Sequence, residues 1–328
     1  MKQKKKRIII AAVAVILLIL CVLWGVGDYF VDYAITRSAE GNERNVESTY
    51  QADVGTNDKI NKNHRQEEID TEKWLQSCDK SLVSITSEDG LKLVANEYEV
   101  SETKESHDWV LLVHGYGGKK ENMEDMGLRY SERGYRVLIP DMRAHGESEG
   151  EYVGMGWLDK TDILQWIQWV IDKDSNAEIV LHGVSMGAAT VMMVSGEALP
   201  QQVKAVIEDC GYTSVWDIFT SELKARFNLP PFPTLYAGRL VGLVRAGYDM
   251  KEASALEQVK KCEIPILFIH GDQDDFVPSD MIYPLYEAAT CEKEMLIIRG
   301  AGHTEARTAD PERYYKTVFD FIEKTKGL

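Results

Sequence analysis

EIVLHGVSMGAATVMMVSGEAL, residues 178–199, decides the fold. It opens on a β-rich apolar run, EIVLHG, and passes into a helix-prone run rich in alanine and methionine. Between them lies a G-x-S-x-G pattern, Gly183-Val184-Ser185-Met186-Gly187. So sharp a strand-to-helix turn forces its serine into a strained backbone, so the residues two positions away must be glycine to avoid crowding. The hydroxyl then projects above the sheet at a helix N-terminus. Ala188 and Ala189 keep that helix close to the strand. The pattern alone is weak evidence, because Gly146-Glu147-Ser148-Glu149-Gly150 matches it too. Context separates the two. Ser148 lies well past the strand YRVLIP in a polar, glycine-rich loop, and no helix is expected before about Trp157, so Ser148 reads as a turn residue.

Working outward, apolar strands alternate with helical segments from Leu82 onward, which implies an α/β fold with a largely parallel sheet. LVSITS and LKLVANEYEV are joined through Glu88, Asp89 and Gly90, a hairpin signal, so they should be antiparallel. Six further strands follow: WVLLV at 109–113, YRVLIP at 135–140, EIVLHG at 178–183, KAVIED at 204–209, IPILFIH at 264–270 and EMLIIR at 294–299. In WLDKTDILQWIQWVIDK, Ile163, Trp166, Ile167 and Val170 recur at helical spacing, and these tryptophans are expected in the core. Residues 212–255 break the alternation around the Pro-rich NLPPFP and are expected to form an inserted cap, since a structureless loop of that length is improbable.

The N-terminus has a different character. Lys2, Lys4, Lys5, Lys6 and Arg7 precede an uncharged run of 20 residues, Ile8 to Gly27, which at about 1.5 Å per residue spans roughly 30 Å of hydrocarbon. A cleaved signal peptide would carry a shorter apolar core and a small-x-small cleavage site, and Leu20 does not suit a lipoprotein reading through Cys21. We therefore expect a cytoplasmic head (1–7), a single membrane anchor (8–27), a polar stalk or linker (28–80) ending in a short helix from about Gln66 to Ser77, and an extracytoplasmic domain (81–328). Removing the five basic residues of the head from the formal net charge of −16 leaves −21 on the remainder. Such a balance excludes nucleic acid as a partner, because an acidic chain without a basic stripe repels phosphate. Beyond Cys21, the cysteines Cys78, Cys210, Cys262 and Cys291 lack CxxC spacing, so no zinc or other metal site is suggested. Cys210 and Cys262 are expected as buried thiols.

A serine hydroxyl needs a base to become a good nucleophile, and the base needs a carboxylate to orient it. After IPILFIH comes GDQDDFVP, and after EMLIIR comes GAGHTEA, which place acids and then His303 on successive loops at the carboxyl ends of strands. Ligands bind there in open parallel sheets. His303 is the only histidine C-terminal to these acids, whereas His64, His107, His114, His145, His182 and His270 are expected to be structural or solvated. Spacing leaves Asp272, Asp274 and Asp275 open for the third role. The strand WVLLV runs into HGYGG, whose glycines let backbone N–H groups turn inward, so the amides of Tyr116 and Met186 are the expected oxyanion donors. Tyr116, Trp216 and Phe219 are candidate pocket walls, within a wider apolar set of Val215, Ile218, Phe227, Leu229, Phe232 and Leu235.

In this order the segments HGYGG, DMRAHGES, GVSMG, HGDQDDFVP and GAGH resemble the α/β-hydrolase superfamily over roughly Leu82 to Phe321. They look most like bacterial esterases and serine-aminopeptidase-like hydrolases with a small cap. The resemblance implies a mostly parallel eight-stranded sheet with helices on both faces and no cofactor. The family's H-G-x-x-D-x-x-V-P pattern falls on His270, Gly271, Asp274, Val277 and Pro278, and so selects Asp274 as the acid, with Asp275 second. DMRAHGES departs from the family in carrying Ala144 where glycine is usual. The expected chemistry is a two-step transfer of the acyl group of a small-molecule ester or amide to water, with carboxylic esters as the first expectation. A peptidase with the same triad, an acyltransferase and a non-catalytic binding protein on this fold stand as alternatives.

Overall fold

A computed structural model describes residues 2–37 and 54–326. The part of the expected linker at 38–53 lies outside the described residues. Eight strands form one sheet: β1 (Asp79–Thr86), β2 (Lys92–Glu99), β3 (Asp108–Val113), β4 (Arg136–Pro140), β5 (Glu178–Val184), β6 (Val203–Asp209), β7 (Ile266–Gly271) and β8 (Lys293–Ile298). Their spatial order is β1-β2-β4-β3-β5-β6-β7-β8. β2 is antiparallel to both neighbours, and every other pairing is parallel. All eight expected strands are present. The Asp89-Gly90 turn joins β1 to β2 with Gly90 at φ 89°, a left-handed conformation that glycine adopts without strain.

The side-chain alternation of β3 shows why the sheet is covered on both faces. Trp109, Leu111 and Val113 enter one core cluster, while Val110 and Leu112 enter the other. α4 (Asp159–Lys173) covers the first face through Ile163, Trp166, Ile167 and Val170, all buried. Each such side chain contributes roughly 1.5–3 kcal/mol relative to exposure. α5 (Met186–Ser195), which follows β5, is buried along its whole length against β5 and β6. On the second face lie α3 (Glu124–Ser131) and the C-terminal helix α8 (Pro311–Lys326).

The chain departs from the expected linker at both of its ends. The N-terminal helix α1 spans Lys2–Ala34, so it continues seven residues past the apolar run. Its apolar part is long enough to cross a membrane and is not buried within the protein. Its last two turns instead pack on the cap, burying Val31 and the following Ile35. α2 spans Val54–Ser77, twelve residues more than the short helix expected from Gln66. It rests on the domain through one face, Ile60, Glu67, Thr71 and Trp74. Trp74 donates its Nε1–H to Ser131 Oγ at 3.0 Å and stacks on Tyr98, with ring centroids 5.2 Å apart. Half of that buried face is polar, so the helical apolar period was too weak to read.

The segment 212–255 contains α6 (Val215–Phe227) and α7 (Thr234–Arg245). Ser214 caps α6 by accepting from the Asp217 amide at 3.0 Å, and Asn228 ends it in a left-handed turn. Between these helices and α1 lies the apolar side of the cleft.

Candidate active site

The chain moves from β3 outward to β4 and then back to β5 on β3's other side, so the strand order reverses between β3 and β5. Loops after those two strands diverge there and leave a crevice. The loop after β5 is the Ser185 turn, and the loop after β3 is His114-Gly115-Tyr116-Gly117-Gly118.

Ser185 sits at φ 57°, ψ −116°, between the last residue of β5 and the first of α5. The flanking glycines are sterically required. A Cβ on Gly183 would stand 2.1 Å from the Gly187 carbonyl oxygen, and one on Gly187 would stand 2.0 Å from that of Val113. Gly115 passes just as closely, since a Cβ there would meet Ser185 Cβ at 3.2 Å. The Tyr116 backbone therefore runs beside the serine. Met186 opens α5, and the first N–H groups of a helix have no partner within it.

Three of the expected residues converge. Ser185 Oγ lies 2.8 Å from His303 Nε2, and His303 Nδ1 lies 2.7 Å from Asp274 Oδ2. Asp274 Oδ1 accepts from the amides of Phe276 and Val277 at 3.0 and 2.9 Å, which fixes the carboxylate plane. Burial alone would raise the Asp274 pKa, but hydrogen bonds from His270 and His303 outweigh it and hold the carboxyl at about 2. Asp274 therefore stays ionised beside the imidazole. The two competing acids are elsewhere: Asp272 Oδ1 accepts from the Gly300 amide at 2.7 Å, and Asp275 is exposed.

Among the other histidines, His114 and His145 brace the HGYGG loop. His114 Nε2 accepts from the Met142 amide at 3.0 Å, and His145 Nε2 accepts from that of Gly117 at 3.2 Å. Burial, reinforced by the neighbouring His114, pushes His145 down to about 3, so it stays neutral. Burial likewise holds His182 at about 3, between the hydroxyls of Tyr130 and Tyr314. His107 pairs with Asp174 at the surface, and His64 is exposed on α2. His270 touches the triad itself, because its Nε2 lies 3.2 Å from Asp274 Oδ2. Ser148 is a turn residue, donating to the Asp141 carbonyl at 2.7 Å and accepting from the Val94 amide at 2.9 Å. Ala144 adopts φ 60°, which explains why a glycine is usual there.

Cys210, Asp274 and His303 bring potential metal-binding atoms within 4.8 Å of one another. Burial, with the nearby Asp209 and Asp274, pushes the Cys210 thiol far up and keeps it protonated. Both His303 nitrogens already face Ser185 and Asp274, so these residues do not fit a metal ion.

Two cavities meet at Ser185 and Tyr116. One, of ≈ 130 Å³, is apolar, lined by Tyr116, Met155, Tyr212, Ile218, Phe219, Phe227, Leu235 and Met250, and on its far side by Phe30, Val31, Tyr33 and Ala34 of α1. The other, of ≈ 730 Å³, is polar, walled by His64, Glu67, Glu68, Thr71 and Glu72 of α2, and by Glu121, Asn122, Asp125 and Arg307. Of the expected pocket walls, Tyr116 and Phe219 are in place. Trp216 is not: its ring packs edge-on against Tyr236 and under the Lys251 ammonium. Val215 is buried in the core, while Leu229 and Phe232 face outward. The α1 and α2 contributions were missed. The readable signal in α1 is DYFVDYAI, where Asp28 and Asp32 share one helical face and Phe30, Val31 and Ala34 fall on others.

Comparisons with known proteins agree with this architecture. Residues 108–238 match the family model for the alpha/beta hydrolase fold. Protein YqkD of Bacillus subtilis (strain 168) is 29% identical over 215 residues, 65% of this chain and 70% of that protein. The thermostable monoacylglycerol lipase of Bacillus sp. (strain H-257) is 21% identical over 251 residues, 66% of this chain and 91% of the lipase. Among solved structures, the Pyrococcus furiosus esterase Pf2001 superposes with a TM-score of 0.62 at 22% identity, covering 76% of this chain and 93% of the esterase. With its sheet order, its Ser185 turn and its neighbours among the hydrolases, the chain has the α/β-hydrolase fold.

Proposed function

We propose that the chain is a membrane-anchored serine hydrolase that cleaves carboxylic esters carrying an apolar acyl group. The observation that supports this most is the position of the Ser185–His303–Asp274 relay, at the meeting point of an apolar cavity and a polar one. An acyl chain fits the first, and the leaving alcohol the second.

In this reading His303 Nε2 removes the Ser185 proton as Oγ attacks the ester carbonyl. The amides of Tyr116 and Met186 receive the developing oxyanion, each donor typically being worth about 3 kcal/mol. The imidazolium then protonates the leaving alcohol, while Asp274 accepts from Nδ1–H and holds the ring in the required tautomer. Water repeats the cycle on the acyl-enzyme and releases the acid. A peptidase acting on free N-termini would need an unpaired carboxylate on the acyl side of Ser185. The charged residues lining that side among the described residues are Glu222 and Arg226, which pair with each other at 2.5 Å.

A fluorophosphonate probe tests the nucleophile: wild type is expected to label, and Ser185→Ala to lose both labelling and at least about 10³-fold in kcat. Labelling that survives Ser185→Ala rejects the mechanism. A p-nitrophenyl ester series is expected to show kcat/KM rising with acyl length, and faster turnover of aminoacyl anilides than of esters would assign the site to a peptidase.

A further inference from the structure

The outer end of α1 and the cap helix α7 are built as one unit. A Cβ on Gly27 would stand 2.6 Å from the Ala237 carbonyl oxygen, so the two backbones nearly touch. Gly238 and Gly242 of α7, one turn apart, face Phe30 and Val31 of α1 respectively. Arg245 of α7 donates to Asp28 and Asp32 of α1 at 2.6 and 2.7 Å. Tyr116, beside the serine, donates its hydroxyl to the Ala34 carbonyl at 2.7 Å. The apolar run of α1 ends at Gly27, and the wall of the apolar cavity begins at Phe30. At about 1.5 Å per residue, the cavity wall starts within about 5 Å of the hydrocarbon boundary.

The opposite face of α7 has a different environment. Tyr236, Leu240, Leu243 and Val244 recur at i, i+4, i+7 and i+8 and are 45%, 57%, 45% and 62% exposed. Just before the helix, Phe232 is 72% exposed. A helix apolar on both its buried and its outward face is not a helix made for water. On α1, Trp24 and Tyr29 are also exposed at this level, the residue types that settle at a membrane–water boundary. Arg239 is neutralised by Asp249, and Arg245 by Asp28 and Asp32, so what the unit offers is apolar contact rather than charge.

We propose that the outward face of α7 rests in the lipid surface beside α1, so that the acyl chain of a bilayer-resident ester passes along Phe30–Ala34 directly into the cavity at Ser185. This rests on the ester and anchor readings above and adds where the substrate comes from. The occupant is the bilayer rather than a second copy, because the face is continuous with a helix whose apolar length matches a membrane.

The test uses the full-length chain reconstituted in phosphatidylcholine vesicles. It compares 4-methylumbelliferyl oleate dissolved in the bilayer with water-soluble 4-methylumbelliferyl acetate. In the triple variant Leu240→Ser, Leu243→Ser, Val244→Ser, kcat/KM on oleate is expected to fall about 10-fold while acetate stays within about 2-fold. Both substrates falling together, or neither changing, overturns the proposal, as does an oleate defect that vanishes at one chain per vesicle. A second arm needs no turnover. The added emission of Leu240→Trp is expected to be quenched by brominated phosphatidylcholine, and unquenched emission overturns the proposal whatever the activity. Wild type that resists carbonate extraction yet cleaves neither ester defeats the ester reading alone, and the quenching arm still decides the surface. Wild type released by carbonate defeats the anchor reading.

Discussion

The Ser185 turn is held in place by backbone, not by side chains. A Cβ on Gly187 would stand 2.0 Å from a main-chain oxygen of β3, and no flexible group is available to yield. Gly187→Ala is therefore expected to destabilise the protein by about 3 kcal/mol or more, read as a fall in the denaturant midpoint, with loss of fluorophosphonate labelling. This requirement was legible from the pattern alone, because it follows from steric exclusion. The choice among Asp272, Asp274 and Asp275 was not legible from spacing, since adjacent loop residues point wherever the turn sends them. The amides of Phe276 and Val277 turn Asp274 inward, and the family pattern had selected it. Asp274 also gives an acid-side prediction. Its folded pKa of about 2 lies below the ordinary 3.8. Its stabilisation is thus fully present above about pH 4 and lost as pH falls through about 2, an effect of about 2 kcal/mol. Asp274→Asn is expected to flatten that part of the stability profile, measured by urea unfolding at pH 5 and pH 2.5, and an unchanged slope would remove Asp274 as its source.

α2 poses the corresponding question for an element. The strands and α4 were legible because burial on a sheet or a single helix face leaves an apolar period of two or 3.6 residues. α2 hid its docking face, because Glu67 and Thr71 sit between Ile60 and Trp74. Burial raises the Glu67 pKa to about 7, with Asp125 and Asp70 adding to it and Arg307 and Arg129 opposing it. The folded chain thus holds a proton there that the unfolded chain releases near 4.5. The contribution is present below about pH 4.5, declines as pH rises, and is gone above about pH 7. The whole change is about 3 kcal/mol. α2 amides are accordingly expected to exchange faster at pH 8 than at pH 5 after correction for intrinsic rates, and Glu67→Gln is expected to remove most of the difference. Exchange that follows intrinsic rates in both proteins would show that Glu67 does not govern the docking of α2. Since α2 walls the polar cavity, the same variant should leave acyl-length preference unchanged.

Across the whole molecule, the N-terminal residues help to build the site. α1 supplies one wall of the apolar cavity and α2 one wall of the polar cavity, so the site is closed by residues that precede the hydrolase fold in sequence. Composition could not reveal this, because it distinguishes an apolar run from a polar one without showing what either packs against. The charge division it did reveal now acts together with the packing. On the proposed anchor reading, a head with five basic residues ahead of an uncharged run of 20 favours retention of the head in the cytoplasm and places the acidic remainder on the other side. On the same reading, the tie between Arg245 and both Asp28 and Asp32 holds the cap at the face where the run emerges. A phosphatase reporter fused after Leu328 is expected to be active only outside the membrane, and a reporter that requires the cytoplasm to be silent at the same position. Replacing the five basic residues of the head with glutamine should weaken this asymmetry, because it removes the charge bias that sets orientation. A reporter active in the cytoplasm when fused to the unaltered chain would reverse the orientation, place the catalytic cleft inside the cell, and require the ester substrate to come from the inner leaflet.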